Sequence, residues 1–167
     1  ATVLYLKAID LVKNTDENLL LGKIYSDIGD ICSIQKDFKE SLNKYKTSIN
    51  FFNRSGDSIE ISYSLTYTGR VYRFMKEYDT ALKYYKQALN YTKDSLSNGL
   101  AYQEMGINYF MAKKYDMAQH YLRKSLSYPA VSNYYAIRNF ILADLFFEKQ
   151  QYDSAALYAT TALKYPS

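Results

Sequence analysis

Residues that could act as nucleophiles or metal ligands are few in this sequence. Its 167 residues include one histidine, His120, and one cysteine, Cys32. A cysteine nucleophile needs a neighbouring base, and a zinc site built from Cys and His side chains needs at least three of them. We therefore predict no metal site and no cofactor. His120 is expected on the solvated surface, and Cys32 is expected to be a buried core thiol.

Other short patterns are also incomplete as sites. Asp27 and Asp30 lie one helical turn apart and could form an acid–base pair, but the same spacing is typical of a solvated helix face. The stretch "TGRVYR" (Thr68–Arg73) has a single glycine and lacks the spacing of a phosphate-binding loop. The stretch "DIGDI" (Asp27–Ile31) lacks the calcium-loop pattern. We therefore predict that the chain is not an enzyme and has no catalytic residues.

The elements that carry these residues recur along the chain. A similar stretch of sequence occurs four times, with a small residue at the same place in each. These small residues are spaced by 40, 37 and 37 positions: Ser41, Ala81, Ala118 and Ala155. An aromatic residue stands three positions before each, and a small residue stands twelve positions before each: Gly29, Gly69, Gly106 and Ala143. Going back 40 residues from Ser41 reaches Ala1, so an incomplete repeat opens the chain. A period in this range is typical of a solenoid.

Each repeat divides into two helical patterns. In the second complete repeat, an apolar stripe runs from Ile61, the pattern breaks at Glu77-Tyr78-Asp79, and a second stripe begins at Ala81. Glycine inside a helix costs about 1 kcal/mol relative to alanine. We infer that the recurring small residues let two helices approach closely. A generic amphipathic bundle would explain the stripes but not these repeated small columns.

The repeats resemble the tetratricopeptide repeat (TPR), in residues 25–51, 63–91 and 102–129 and in the more divergent last unit. The resemblance implies an all-α fold, a right-handed α-solenoid of helix-turn-helix repeats with about nine helices. A single array over 1–167 would hold a partial repeat at 1–14 and repeats at about 18–54, 58–93, 95–130 and 132–167. TPR units usually have about 34 residues, so either the linkers here are long or the helices gain about a turn. This longer form is similar to repeats of bacterial regulatory proteins.

Composition limits the classes of partner. The net charge of +4 is dispersed without a basic stripe, so we predict no nucleic-acid binding by this segment. No apolar run approaches the roughly 18 residues that suggest a membrane-spanning helix. The sequence starts as if inside a helix, and we expect it to be a piece of a longer protein. The lone cysteine favours a cytoplasmic location, with a periplasmic one as the alternative. Exposed end faces would permit self-association.

In the TPR fold, the first helix of each pair lines a concave groove, and the resemblance implies that a protein or peptide ligand binds there. Phe74, Phe140 and Phe147 could face this ligand or pack against a neighbouring repeat. The predicted peptide-binding residues mix charged, amide and aromatic groups: Lys23, Asp27, Asp30, Tyr63, Tyr67, Arg70, Arg73, Gln103, Glu104, Phe110 and Asp144.

One TPR subtype holds a C-terminal carboxylate with a clamp of Lys and Asn side chains. The matching positions here are Ser26, Asp30, Tyr67, Leu100 and Glu104. They lack those residue types, so we predict that this is not a carboxylate-clamp domain. The resulting hypothesis is a non-enzymatic protein- or peptide-binding scaffold. The alternative is a sensory or assembly region of a bacterial transcriptional regulator or histidine kinase.

Overall fold

The computed structural model describes residues 17–91, 93–128 and 132–164, together with Tyr5 and Lys7. The expected all-α solenoid of helix-turn-helix repeats is confirmed for this part of the chain, while the partial repeat expected at 1–14 lies almost wholly outside it. The described residues form eight helices: α1 (Asn18–Ile34), α2 (Phe38–Ser55), α3 (Ser58–Phe74), α4 (Tyr78–Tyr91), α5 (Ser95–Met111), α6 (Tyr115–Leu126), α7 (Ser132–Glu148) and α8 (Tyr152–Ala162).

The chain divides into two compact units, residues 1–92 with α1–α4 and residues 93–167 with α5–α8. Within each unit every helix packs against the next one along the chain. One apolar cluster of the first unit joins Phe52 of α2 to Ile61 and Leu65 of α3. In the second unit, Leu122 of α6 packs with Leu142 of α7. Every helix in the described ranges is too short or too polar to span a bilayer.

A three-residue turn joins the two helices of each repeat. Its middle residue has left-handed backbone geometry, with φ between 58° and 64°, although it is never glycine: Lys36, Lys76, Lys113 and Gln150. The amide after it donates back across the turn, as from Glu77 to the carbonyl of Tyr72 at 2.9 Å, which satisfies an end carbonyl of the helix. The break predicted at Glu77-Tyr78-Asp79 was therefore misplaced, because α4 already begins at Tyr78.

Helix extension absorbs much of the additional repeat length. The first helix of each pair has 17 residues, which is nearly five turns. Helix α2 continues to Ser55 and ends on Gly56, whose φ of 75° is the left-handed conformation that glycine adopts most easily. Asp57 then caps α3 by accepting from the amides of Ile59 and Glu60. The connection between these repeats is therefore short.

In the first three repeats, close approach of the two helices depends on a glycine of the first helix: Gly29, Gly69 or Gly106. A methyl group on Gly69 would lie 2.5 Å from Cε1 of Tyr85, and one on Gly106 would lie 2.6 Å from Cγ of Leu122. The small residues marking each repeat lie beside these glycines as expected, since Ser41 Oγ donates to the Gly29 carbonyl at 2.8 Å. The side chain that fills the space against the glycine, however, comes four residues after the small residue.

The fourth repeat changes both partners of this contact at once. Ala143 replaces the glycine, and Ala159 stands where the earlier repeats have a large residue: Tyr45, Tyr85 or Leu122. Two small side chains can meet where a large one would collide, because protein interiors are close-packed. The glycine or alanine position on the first helix and its partner position on the second helix are therefore matched in size.

We expect Gly69→Ala to lower the free energy of unfolding by about 1–3 kcal/mol, because the new methyl group overpacks the buried Tyr85 ring. In a Tyr85→Ala background the same change should cost much less, because the ring is gone and alanine favours helix by about 1 kcal/mol. Urea denaturation of the four proteins gives the coupling. Additive effects of the two substitutions would contradict this account.

Candidate functional site

The candidate site is a pocket of about 570 Å³ in the first unit, within the range of roughly 300–1,000 Å³ for ligand sites. It lies where the ends of α1 and α3 meet the turn that leads into α2. We call it the turn pocket. It brings together three of the predicted groove residues, Asp30, Tyr67 and Arg70. The lining residues are Asp30, Ser33, Ile34, Lys36, Phe38, Tyr45, Tyr67, Arg70 and Phe74.

A hydrogen-bonded acid lies in this pocket. The buried Tyr45 donates its hydroxyl to Oδ1 of the half-buried Asp30 at 2.6 Å. Burial raises the pKa of Asp30, while the Tyr45 hydrogen bond and the positive charge of Arg70 act in the opposite direction. Burial and the neighbouring carboxylate also raise the pKa of Tyr45 far above its ordinary range. The tyrosine therefore remains a hydrogen-bond donor at physiological pH.

Aromatic side chains form the walls of the turn pocket. The Tyr67 ring lies 6.1 Å from Tyr45 and 6.4 Å from Tyr63, measured between centroids. The guanidinium of Arg70 lies over the Tyr67 ring at 4.8 Å, a distance that favours cation–π attraction. This stack holds a charged group against an aromatic surface and suits the binding of a mixed polar and apolar ligand.

The turn itself completes the pocket. Phe38, the first residue of α2, stacks on Phe74 of α3 at 6.3 Å, so the aromatic residue at this turn bridges two repeats. Arg73 is buried and lies over the Phe74 ring at 5.4 Å. Phe74 nevertheless keeps 46% of its surface exposed. It therefore both packs against a neighbouring repeat and faces the open pocket.

The other predicted residues of the first unit lie outside the pocket lining. Lys23 of α1 forms an ion pair with Glu60 of α3 at 3.2 Å. Asp27 is exposed, and Tyr63 reaches the site through its stack on Tyr67. These residues extend the polar face of α1 and α3 towards the other end of the helices.

In the second unit, two predicted groove residues are internal. Gln103 and Glu104 are buried, and Gln103 Oε1 accepts from Nε of Arg138 at 3.0 Å. Arg138 is only 1% exposed and also donates to the carbonyls of Ser125 and Tyr128, at 2.7 and 3.1 Å. This buried guanidinium therefore joins α7 to α5 and to the end of α6. Burial lowers its pKa.

The remaining predictions for the second unit concern surface and edge residues. Phe110 is half-buried against Tyr115, with ring centroids 5.9 Å apart, and Asp144 is exposed. Phe140 is exposed, and Phe147 is exposed with its ring edge against Tyr152. Peptide binding by these residues stays a prediction.

Cys32 belongs to the first unit and His120 to the second. Cys32 is half-buried rather than buried, as is Tyr72 at the matching position of the second repeat. His120 is exposed with its ring edge on Tyr121. Across the part of the chain that the structure describes, no group of three His, Cys, Asp or Glu residues is arranged to hold a metal ion.

Sequence reasoning missed several lining residues of the turn pocket. Tyr45 belongs to a second helix, which the repeat pattern assigns to packing alone, and no local signal reveals that its hydroxyl reaches Asp30. Ile34 and Lys36 belong to a turn. The aromatic column at the turn was a usable signal for Phe38.

Comparison with known protein families and structures gives a consistent result. A family model described as tetratricopeptide repeat matches residues 20–94 and 60–128. No curated protein sequence matches the chain significantly.

Solved structures of low sequence identity share the fold. BtubC (BKLC) from P. vanneervenii superposes with a TM-score of 0.76 at 15% identity, covering 98% of this chain and 71% of that one. MamA gives 0.62 at 20% identity, covering 96% and 83%. YrrB, described as a TPR protein with an unusual peptide-binding site, gives 0.54 at 15% identity, covering 96% and 91%.

We expect Asp30→Asn to increase the free energy of unfolding at neutral pH by up to about 1 kcal/mol, because the raised pKa of Asp30 reflects a disfavoured buried charge. The folded state binds the proton more tightly than the unfolded state. The contribution of Asp30 to the stability of the parent protein should therefore fall as pH rises from the ordinary aspartate pKa of about 4 through the raised value. Urea denaturation from pH 3.5 to 7 tests this, and a gain that persists unchanged at the acid end would contradict it.

Arg138→Met should lower the free energy of unfolding by about 3–5 kcal/mol, since Gln103 and two carbonyls lose a buried partner. Exposed Arg54 is the matched control, and Arg54→Met should cost under about 0.5 kcal/mol. Thermal and urea unfolding followed by circular dichroism provide the measurement. Similar costs for the two substitutions would show that the buried network contributes little.

Proposed function

Because this chain belongs to the tetratricopeptide repeat family, we propose that it is a non-enzymatic scaffold that binds a protein or peptide in its concave groove. TPR domains commonly act in protein interaction, and the TPR fold suggests the same role here. The finer assignment, to the face formed by α1 and α3, comes from the residues of the first unit.

The observation that carries the proposal is the turn pocket. It combines an aromatic wall, an acid held by a buried tyrosine, and a stacked arginine within one concavity. Binding sites typically present this mixture, in which aromatic and arginine side chains supply most of the affinity and a few polar groups orient the ligand.

The structural relatives are compatible with this role. The description of YrrB names a peptide-binding site, and we transfer to this chain only the general idea that stacked repeats of this kind can bind a peptide. The alternative of a regulator's sensory or assembly region stays a prediction that the domain order of the complete gene would test.

Selection from a displayed random-peptide library provides the test. The double substitution Tyr67→Ala, Arg70→Ala should weaken binding of the selected peptides about tenfold or more, because central aromatic and arginine residues dominate such interfaces. Affinities would be measured by fluorescence anisotropy, with circular dichroism to verify that the helices persist.

Tyr72 and Arg54 offer a matched control outside the pocket. Tyr72 stacks on Tyr84, and Arg54 lies over the Phe51 ring at 5.5 Å, so Tyr72→Ala, Arg54→Ala also removes one stacked tyrosine and one stacked arginine. We expect this control to leave peptide affinity within about twofold of the parent protein. Equal losses of peptide affinity in both double variants, or no loss in either, would argue against peptide binding in the groove.

A further inference from the structure

Two exposed apolar side chains lie at the mouth of the turn pocket. Ile34 is 81% exposed and Phe74 is 46% exposed, and both line the pocket. The Phe38 ring supports Phe74 from behind, with 6.3 Å between centroids. Apolar side chains grouped around a concavity are typical of an anchor site, because a bulky ligand side chain removes them from water. A leucine or phenylalanine of a ligand fits this surface.

The charges of the pocket lining favour a ligand that carries an acidic side chain next to its apolar one. Among the described residues that line it, Lys36 and Arg70 are cationic and Asp30 is anionic. Asp30 already accepts a hydrogen bond from the Tyr45 hydroxyl and interacts favourably with the positive charge of Arg70. Outside the lining, buried Arg73 lies beside Phe74 and exposed Asp27 acts on Asp30, so these two charges offset each other.

The position of Lys36 places its charge at the mouth. It is exposed and occupies the left-handed residue of the turn between α1 and α2, two residues after Ile34. Asp37, its neighbour in sequence, accepts from the backbone amide of Glu40 at 3.2 Å and thereby caps α2. A ligand carboxylate close to the anchor would therefore meet Lys36 at the surface, while Asp30 lies half-buried within the pocket.

We propose that the turn pocket binds a peptide segment in which a bulky apolar side chain stands beside an acidic one. The apolar side chain contacts Ile34 and Phe74, and the acidic side chain pairs with Lys36 at the mouth. This inference rests on the proposed function, because it specifies the ligand of the same face. It requires an acidic side chain and not a free C-terminal carboxylate, consistent with the predicted absence of a carboxylate clamp.

Defined peptides test the chemistry directly. The probe is a fluorophore-labelled synthetic peptide with an Asp-Leu-Glu-Phe core between Gly-Ser flanks and an amidated C-terminus. One control replaces the two acids with lysine, and another replaces the leucine and phenylalanine with serine. We expect the probe to bind at least about fivefold more tightly than either control, with affinity falling as salt increases. The free-acid form should bind within about twofold of the amide.

Two substitutions at one exposed position separate charge from apolar contact. Ile34→Glu and Ile34→Lys remove the same side chain but introduce opposite charges, and neither should disturb folding because Ile34 is largely exposed. Probe affinity should fall about tenfold with Ile34→Glu and only roughly two- to threefold with Ile34→Lys. Ile59, also exposed but outside the pocket lining, is the matched control, and Ile59→Glu should leave affinity unchanged.

The remaining outcomes distinguish failure of the acidic-peptide proposal from failure of the scaffold proposal on which it rests. Tighter binding of the lysine peptide, or a greater loss with Ile34→Lys, would overturn the acidic preference. Failure of the probe to bind would overturn it as well. In either case the scaffold proposal stands if library-selected peptides still depend on Tyr67 and Arg70. It fails separately if those peptides are indifferent to both residues.

Discussion

The close contact between the two helices of each repeat is the constraint on which this structure depends. In the first three repeats a glycine of the first helix receives a large side chain of the second helix, as Gly69 receives Tyr85. The contact holds the two helices near each other along much of their length and buries the residues between them. Because the fourth repeat changes both sides of the contact, with alanine at each, the constraint belongs to the pair of positions and not to glycine alone.

The same contact also builds part of the candidate site. Tyr45 packs beside Gly29, yet its hydroxyl continues past the glycine to donate to Asp30, and its ring lies beside Tyr67 of the next repeat. A residue selected by size for packing thus places a polar group at the edge of a pocket. Leu122 holds the equivalent position in the third repeat and brings no hydroxyl. The repeats can therefore share one packing scheme and still differ in chemistry.

Polar residues of the first helices have different surroundings in the two units. In the first unit, charged residues of α1 and α3 meet at a pocket that opens to solvent. In the second unit, Gln103 and Arg138 bond to each other and to backbone carbonyls in the interior. A buried guanidinium needs such partners because an unpaired buried charge is strongly destabilising. Equivalent helices can consequently supply binding groups in one repeat and structural links in another.

The sequence alone determined the repeat, the helical pairs and the need for close approach, because these follow from spacing and side-chain size, which recur along the chain. The resemblance also grouped Asp30 of one repeat with Tyr67 and Arg70 of the next, because it assigns the first helix of each pair to a common groove. Only the tertiary structure decided which residues meet, since the pocket joins α1, α3 and the turn before α2. Burial of Gln103 and Glu104 likewise depended on neighbours distant in sequence, because helical periodicity defines a face but not what covers it.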